Sequence, residues 1–240
     1  LTLYPHKAKL YLNDKRLTIL EKKILEGHIL IRNNQNQEVI NLLEGIAPSE
    51  LPFVEGHRNF ILGQVHNNLS HYHQAEDYFF KALPSFISAN AYYFIFSSYY
   101  ELFIVNSNLG RIDKMKDYLG LMEKVPELTE LHKNRILKSR FDYYSESNQF
   151  DKAEEVLNLI NQKKSEFVDS DVISHLVCEF MFHIKKEDLK SCQTTLQEMK
   201  SYRKFHLTEN YNFMKKLLDH LTHDAPIYAY DSDFQKIPML

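Results

Sequence analysis

Apolar residues along this chain recur at helical spacing, and the same arrangement returns five times. The stretches are "NNQNQEVINLLEGI" (33–46), "LSHYHQAEDYFFKAL" (69–83), "LGRIDKMKDYLGLM" (109–122), "SNQFDKAEEVLNLI" (147–160) and "KEDLKSCQTTLQEM" (186–199). Each is a polar turn followed by a run with a small or apolar residue near its start and apolar residues four and seven positions later, the signature of an amphipathic helix. The first positions are Val39, Ala75, Met115, Ala153 and Cys192, separated by steps of 36, 40, 38 and 39. The second positions are Leu43, Phe79, Leu119, Leu157 and Leu196, and the third Ile46, Ala82, Met122, Ile160 and Met199. Twelve residues upstream of each first position lie Gly27, Gly63, Phe103, Phe141 and Phe180, each inside another helix-period run. The unit is a helix–turn–helix pair, and at Gly27 and Gly63 a missing side chain lets the second helix approach the first closely.

The segment "ANAYYFIFSSYYELFIVNSNL" (89–109) is dense in Tyr and Phe and carries one charge, Glu101. Phe96, Tyr99 and Phe103 form one helical stripe, and Tyr93, Ser97, Tyr100, Ile104 and Asn108 a second. Its length would cross a bilayer, but Asn90, Ser97, Ser98, Glu101, Asn106, Ser107 and Asn108 are costly in hydrocarbon, so a core helix with one further face is expected.

These repeats resemble the tetratricopeptide repeat family. The second unit matches best, with Leu62, Gly63, Ala75, Phe79 and Ala82 at the characteristic positions and His66 where Tyr is usual; the fourth keeps Tyr144, Phe150 and Ala153. The third and fifth depart, with Phe103 and Phe180 in place of Gly and Met115 and Cys192 in place of Ala. The period is longer than the family's usual ~34 residues, as in bacterial regulatory proteins such as MalT-like regulators and peptide-pheromone receptors. The resemblance implies an all-α, right-handed α-solenoid of five helix pairs (17–48, 49–86, 87–125, 126–165 and 166–201). Residues 1–16 would be the remnant of an earlier repeat, 202–225 a capping helix started by Thr208 with Phe213, Leu217, Leu218 and Leu221 apolar, and 226–240 an extended tail. A chain beginning at Leu1 is expected to be part of a longer protein.

Composition narrows the function. A net charge of −3 lacks the footprint of a dedicated nucleic-acid binder. Two cysteines, Cys178 and Cys192, make no disulfide framework and read as core thiols in a reducing compartment, so the cytoplasm is expected. Among twelve histidines, His71/His73 and His220/His223 have two-ligand spacing with nothing to complete a zinc site, and His175 and His183 around Cys178 read as separate face and core positions. There is no GxSxG, GxGxxG or Walker-type loop. The carboxylates of "AEDYF" and "KAEEV" fall in first turns, where charge is expected to face water. No catalytic residue, metal or cofactor is nominated.

What remains is the groove that the resemblance implies. The family's terminal-carboxylate clamp is missing, since Ile24, His28 and Ile61 stand at its places. The candidate concave-face residues are Phe60, Gln64, Asn67, Asn68, Tyr100, Asn108 and Lys138, whose amides pair with the backbone of an extended peptide while the rings give apolar contact. The expected function is a non-catalytic protein- or peptide-binding scaffold, the sensor or docking part of a larger bacterial regulatory protein. The competing classes are self-association through end helices and small-molecule sensing; no direct nucleic-acid or membrane partner is expected.

Overall fold

The computed structural model describes residues 12–167, 169–202 and 209–223. The chain divides into two compact units between Leu128 and Thr129. The first contains α1 (Ile19–Arg32), α2 (Asn36–Leu43), α3 (Pro52–Asn68), α4 (Tyr72–Ser88), α5 (Tyr92–Asn108) and α6 (Ile112–Glu123). The second contains α7 (Glu130–Glu146), α8 (Phe150–Lys163), a 3-10 turn (Lys164–Glu166), α9 (Asp169–Lys185), α10 (Leu189–Met199) and α11 (Glu209–His223). No strand occurs among the described residues, and no described helix is long and apolar enough to cross a membrane.

The turn inside each helix pair is the same structure five times. Asn34, Ser70, Gly110, Asn148 and Glu187 adopt left-handed backbone with φ of 59°, 59°, 67°, 57° and 57°. The N–H of the following residue then reaches back five positions: Gln35 to the Leu30 carbonyl at 3.0 Å, His71 to His66 at 2.8 Å, and Arg111 to Asn106, Gln149 to Tyr144 and Asp188 to His183 at 2.9 Å. This closure satisfies carbonyls that a helix C-terminus leaves open. The left-handed residues are spaced 36, 40, 38 and 39 apart, the steps of the apolar repeat, so one register governs both turn and packing.

Helix starts are fixed where new pairs open. Thr18 accepts the Glu21 N–H at 3.2 Å while the Glu21 carboxylate accepts the Thr18 N–H at 2.7 Å. Thr129 and His132 make the same reciprocal box, with the imidazole Nδ1 accepting the Thr129 N–H at 3.1 Å. Such caps contribute about 1 kcal/mol each.

The repeat positions form the core. Val39, Ala75, Met115, Ala153 and Cys192 are completely buried, as are Leu43, Phe79, Ala82, Met122, Ile160 and Met199. Phe103, Phe141 and Phe180 fill the space in later pairs that Gly63 leaves to Phe79 in the second: a Cβ on Gly63 would lie 2.7 Å from the Phe79 ring. Gly27 is a looser contact, 3.4 Å from Leu43. Each fully buried Phe or Leu contributes roughly 1.5–3 kcal/mol. Three buried polar residues of α5 bond carbonyls of their own helix. Ser97 and Ser98 donate to the Tyr93 and Phe94 carbonyls at 2.8 Å, and Asn106 donates to the Leu102 carbonyl at 2.8 Å, so their burial leaves no donor without an acceptor.

α11 packs against α10 through Tyr211, Met214 and Leu218, while Leu221 is exposed. Of the residues expected to form its apolar side, Phe213, Leu217 and Leu218 pack against the cluster that contains Leu196 and Met199, and Leu221 alone stays exposed. The proposed cap Thr208, most of the remnant at 1–16 and the tail at 226–240 fall outside the described residues.

Candidate functional site

On α3, Gln64, Asn67 and Asn68 follow Phe60 at spacings that put all four on one side of the helix. Phe60 is only 5% exposed, and its ring lies 5.6, 6.1 and 6.2 Å from the rings of Phe79, Phe86 and Phe94. This corrects its assignment to a ligand-contacting face: it belongs to the aromatic core between α3, α4 and α5. The Gln64 amide donates to Glu101 at 2.9 Å, tying α3 to α5. Asn68 donates to Asn36 at 3.2 Å, and Asn36 donates to Asn34 at 3.1 Å, an amide chain running to the first turn. Asn67 is half-buried, and its Oδ1 is enclosed without a hydrogen bond. On α5, Tyr100 lies nearly parallel to Phe96, with centroids 6.5 Å apart, and Asn108 is half-buried near the helix end.

Beside this polar side lies an imidazole among phenylalanines. His57 meets Phe53, Phe94 and Phe86 edge-on at 4.7, 4.1 and 5.6 Å, with His28 at 6.0 Å. Desolvation pushes His57 down to about 3, with the charge of His28 as the lesser cause. It also pushes His28 down to about 4, aided by Arg32. Both rings are therefore neutral at ordinary pH. The available signal was local: Phe53 and Phe60 stand at i−4 and i+3 of His57.

At the turn end of the first unit two networks join neighbouring pairs. Glu44 accepts from Tyr78 at 3.1 Å and meets His66 at 3.4 Å, while Tyr78 stacks on His66. One pair later, Glu76 binds Arg111 at 3.0 Å and Asn106 at 3.2 Å. The Glu76 side chain is only 15% exposed, a correction to its expected place in water; it is held there by a cation 35 residues away. His71 and His73 go to different partners, His66 and Arg111. Among the described residues no group of three or more His, Cys, Asp or Glu is placed to hold a metal ion.

In the second unit the facing sides of α7 and α9 are joined by polar contacts. Lys138 donates to Ser174 at 2.5 Å, and Lys185 pairs with Glu146 at 2.8 Å. Asp142 and Cys178 share a hydrogen bond between them; burial raises both, with Asp142 adding to the rise at Cys178 and Lys138 opposing it, so the thiol stays protonated. His175 and His183, expected to occupy separate environments, both approach the carboxylate of Glu179, at 3.6 and 3.7 Å. Burial works to raise Glu179, but the hydrogen bond from His183 and the charges of His175 and Lys164 outweigh it and leave its pKa lowered. Desolvation depresses His175 to about 4, against the pull of Glu179.

The predicted residues thus separate. Gln64, Asn67, Asn68, Tyr100 and Asn108 lie on the first helices of the second and third pairs, Phe60 is in the core beneath them, and Lys138 is engaged within the other unit. No family model matches the chain, and no curated protein or solved structure matches it.

Proposed function

We propose that this chain is a non-catalytic protein- or peptide-binding scaffold, the sensor or docking domain of a larger regulatory protein. In this reading the helix pairs are tetratricopeptide-like and continue into a right-handed solenoid. The carrying observation is the invariant register of the five pairs, in which left-handed turn, buried small position and upstream packing position keep fixed offsets. Repeats built this way stack a continuous core and leave one row of first-helix residues for a ligand. In the first unit that row holds Gln64, Asn67, Asn68, Tyr100 and Asn108. The side chain of Asn67 is half-buried on this face and brings an amide to a peptide backbone, and Tyr100 gives apolar contact. Phe60 supports this face from below. Both cysteines are free, in keeping with the reducing conditions of the cytoplasm.

The test is selection from a displayed peptide library on wild type and on an Asn67→Ala/Tyr100→Ala/Asn108→Ala variant with an unchanged circular dichroism spectrum. Peptides that bind wild type and lose at least ~10-fold in affinity on the variant support the reading, since each lost peptide contact is worth about a kcal/mol. Selection of nothing, or peptides that bind both proteins equally, refutes it.

A further inference from the structure

The turn that joins α3 to α4 brings two imidazoles together. His66 Nδ1 and His71 Nδ1 lie 3.4 Å apart. The His66 side chain is 7% exposed, and Tyr78 holds its ring in place by stacking on it with the planes 9° apart. His71 stands just before the first turn of α4; it is exposed, and its side chain makes no capping bond to the helix.

The carboxylate on the other side of His66 decides which nitrogen holds the proton. Glu44 Oε1 accepts from the Tyr78 hydroxyl at 3.1 Å and lies 3.4 Å from His66 Nε2. A carboxylate oxygen only accepts, so Nε2 carries the hydrogen, and in the neutral ring Nδ1 keeps the lone pair on the side of His71. An imidazole tied to a carboxylate through one nitrogen, with a lone pair on the other, is the arrangement that orients metal-ligating histidines. The spacing agrees with this chemistry. Two nitrogens at the ~2.0–2.1 Å zinc–imidazole distance and a tetrahedral angle stand about 3.3–3.4 Å apart. Magnesium and calcium, which take oxygen ligands, gain little from two imidazoles.

We propose that His66 and His71 form a two-histidine zinc site, with both Nδ1 atoms as ligands, Glu44 as the carboxylate behind His66, and water at the remaining positions on the exposed side of His71. The contact between the rings does not block the ion, because zinc takes the place of the single proton that lies between them. His71 then carries its proton on Nε2, where water accepts it, and both rings stay neutral. The site uses two protein ligands, and it does not rest on the peptide-binding reading.

The experiment titrates the full chain with zinc chloride, and separately with magnesium and calcium chloride, at fixed pH and ionic strength. The imidazole resonances are followed by NMR, with the two signals assigned through His66→Asn and His71→Ala. Zinc should shift the His66 and His71 signals together and saturably, and magnesium and calcium should leave them in place. Glu44→Gln, which weakens the support behind His66, should lower zinc affinity about tenfold, and His71→Ala, which removes a ligand, should lower it further. His71 is exposed and caps nothing with its side chain, so that variant keeps the fold. His73→Ala should bind zinc as wild type does, since His73 is turned to Arg111. Zinc that binds without shifting both signals, affinity that survives in His71→Ala, an equal loss in His73→Ala, or saturation of the same signals by magnesium overturns the proposal.

Discussion

Replacing Gly63 by alanine tests the helix-pair packing at its tightest point. An added Cβ would meet Phe79 Cε1, Cδ1 and Cζ at 2.7, 2.8 and 2.9 Å, about 0.7 Å inside ordinary contact. The ring has little room to retreat, since Phe79 is fully buried and lies 5.6 Å from the ring of Phe60. Overpacking of this kind costs about 1–3 kcal/mol, and the better helix propensity of alanine offsets about 0.5–1 kcal/mol. The net expectation is a loss of about 1–2 kcal/mol. Two glycines in the same unit calibrate the measurement. Gly27→Ala meets Leu43 at 3.4 Å and should be neutral or slightly stabilising, and Gly120→Ala meets nothing within 4 Å and should gain about 0.5–1 kcal/mol. Urea unfolding followed by circular dichroism ranks the three. Gly63→Ala/Phe79→Leu should cost less than the sum of its single substitutions, because the smaller side chain makes room for the new methyl. If Gly63→Ala is as stable as Gly120→Ala, the close approach is not a real constraint and the argument fails.

Two further measurements address the turns and the buried imidazoles. Ser70→Gly and Glu187→Gly should each stabilise by about 0.5–1 kcal/mol, and Gly110→Ala should destabilise by about 1 kcal/mol, since only glycine is at ease in left-handed backbone; a reversed order in thermal melts contradicts the turn assignment. Acidification should weaken the first unit. His28 and His57 are held at about 4 and about 3, below the ordinary 6.5, so the unfolded chain takes up protons first; stability is complete above pH 6.5 and falls from there toward pH 4. A fully buried histidine would give about 1.4 kcal/mol per pH unit. Because an unfolded histidine is only half protonated at pH 6.5, the step from pH 6.5 to 5.5 gives about 1 kcal/mol of that, and with both rings half-buried beside Arg32 and the phenylalanines about half as much each is expected, or about 1 kcal/mol in total. Urea unfolding at the two pH values measures the loss, His57→Leu should reduce it by about half, and an unchanged slope in that variant refutes the assignment to these rings.

The helical class was legible because the apolar period survives in every unit. Val39, Ala75, Met115, Ala153 and Cys192 differ in size, yet all stand where a second helix meets the first, and burial follows from position rather than residue type. What the sequence concealed was set by partners distant along the chain. Phe60 stands at a position that resemblance assigns to a groove, but Phe86 and Phe94, 26 and 34 residues further on, extend the core beneath it. Glu76 reads as a solvated charge until Arg111 folds onto it. Glu179 stands midway between His175 and His183 at helical spacing, and a search centred on Cys178 passes over it. The small pocket lined by Asn134, Ile160 and His175 draws on α7, α8 and the start of α9 together, which no local pattern reveals.

The unequal steps between repeats have a consequence for how the chain tolerates changes in length. From the second pair onward every first helix spans 17 residues, and every turn to its partner spans three, so this 20-residue block never varies. All the drift between 36 and 40 falls in the second helix and the link after it. The repeat is therefore a ruler with one fixed arm and one sliding arm. A residue inserted into the link at 124–129 is absorbed where such slack already exists. The same insertion in the middle of α5 would turn its C-terminal half by about 100°, carrying Phe103 and Asn106 away from their partners and leaving the Gly110 turn to start from the wrong side of the helix.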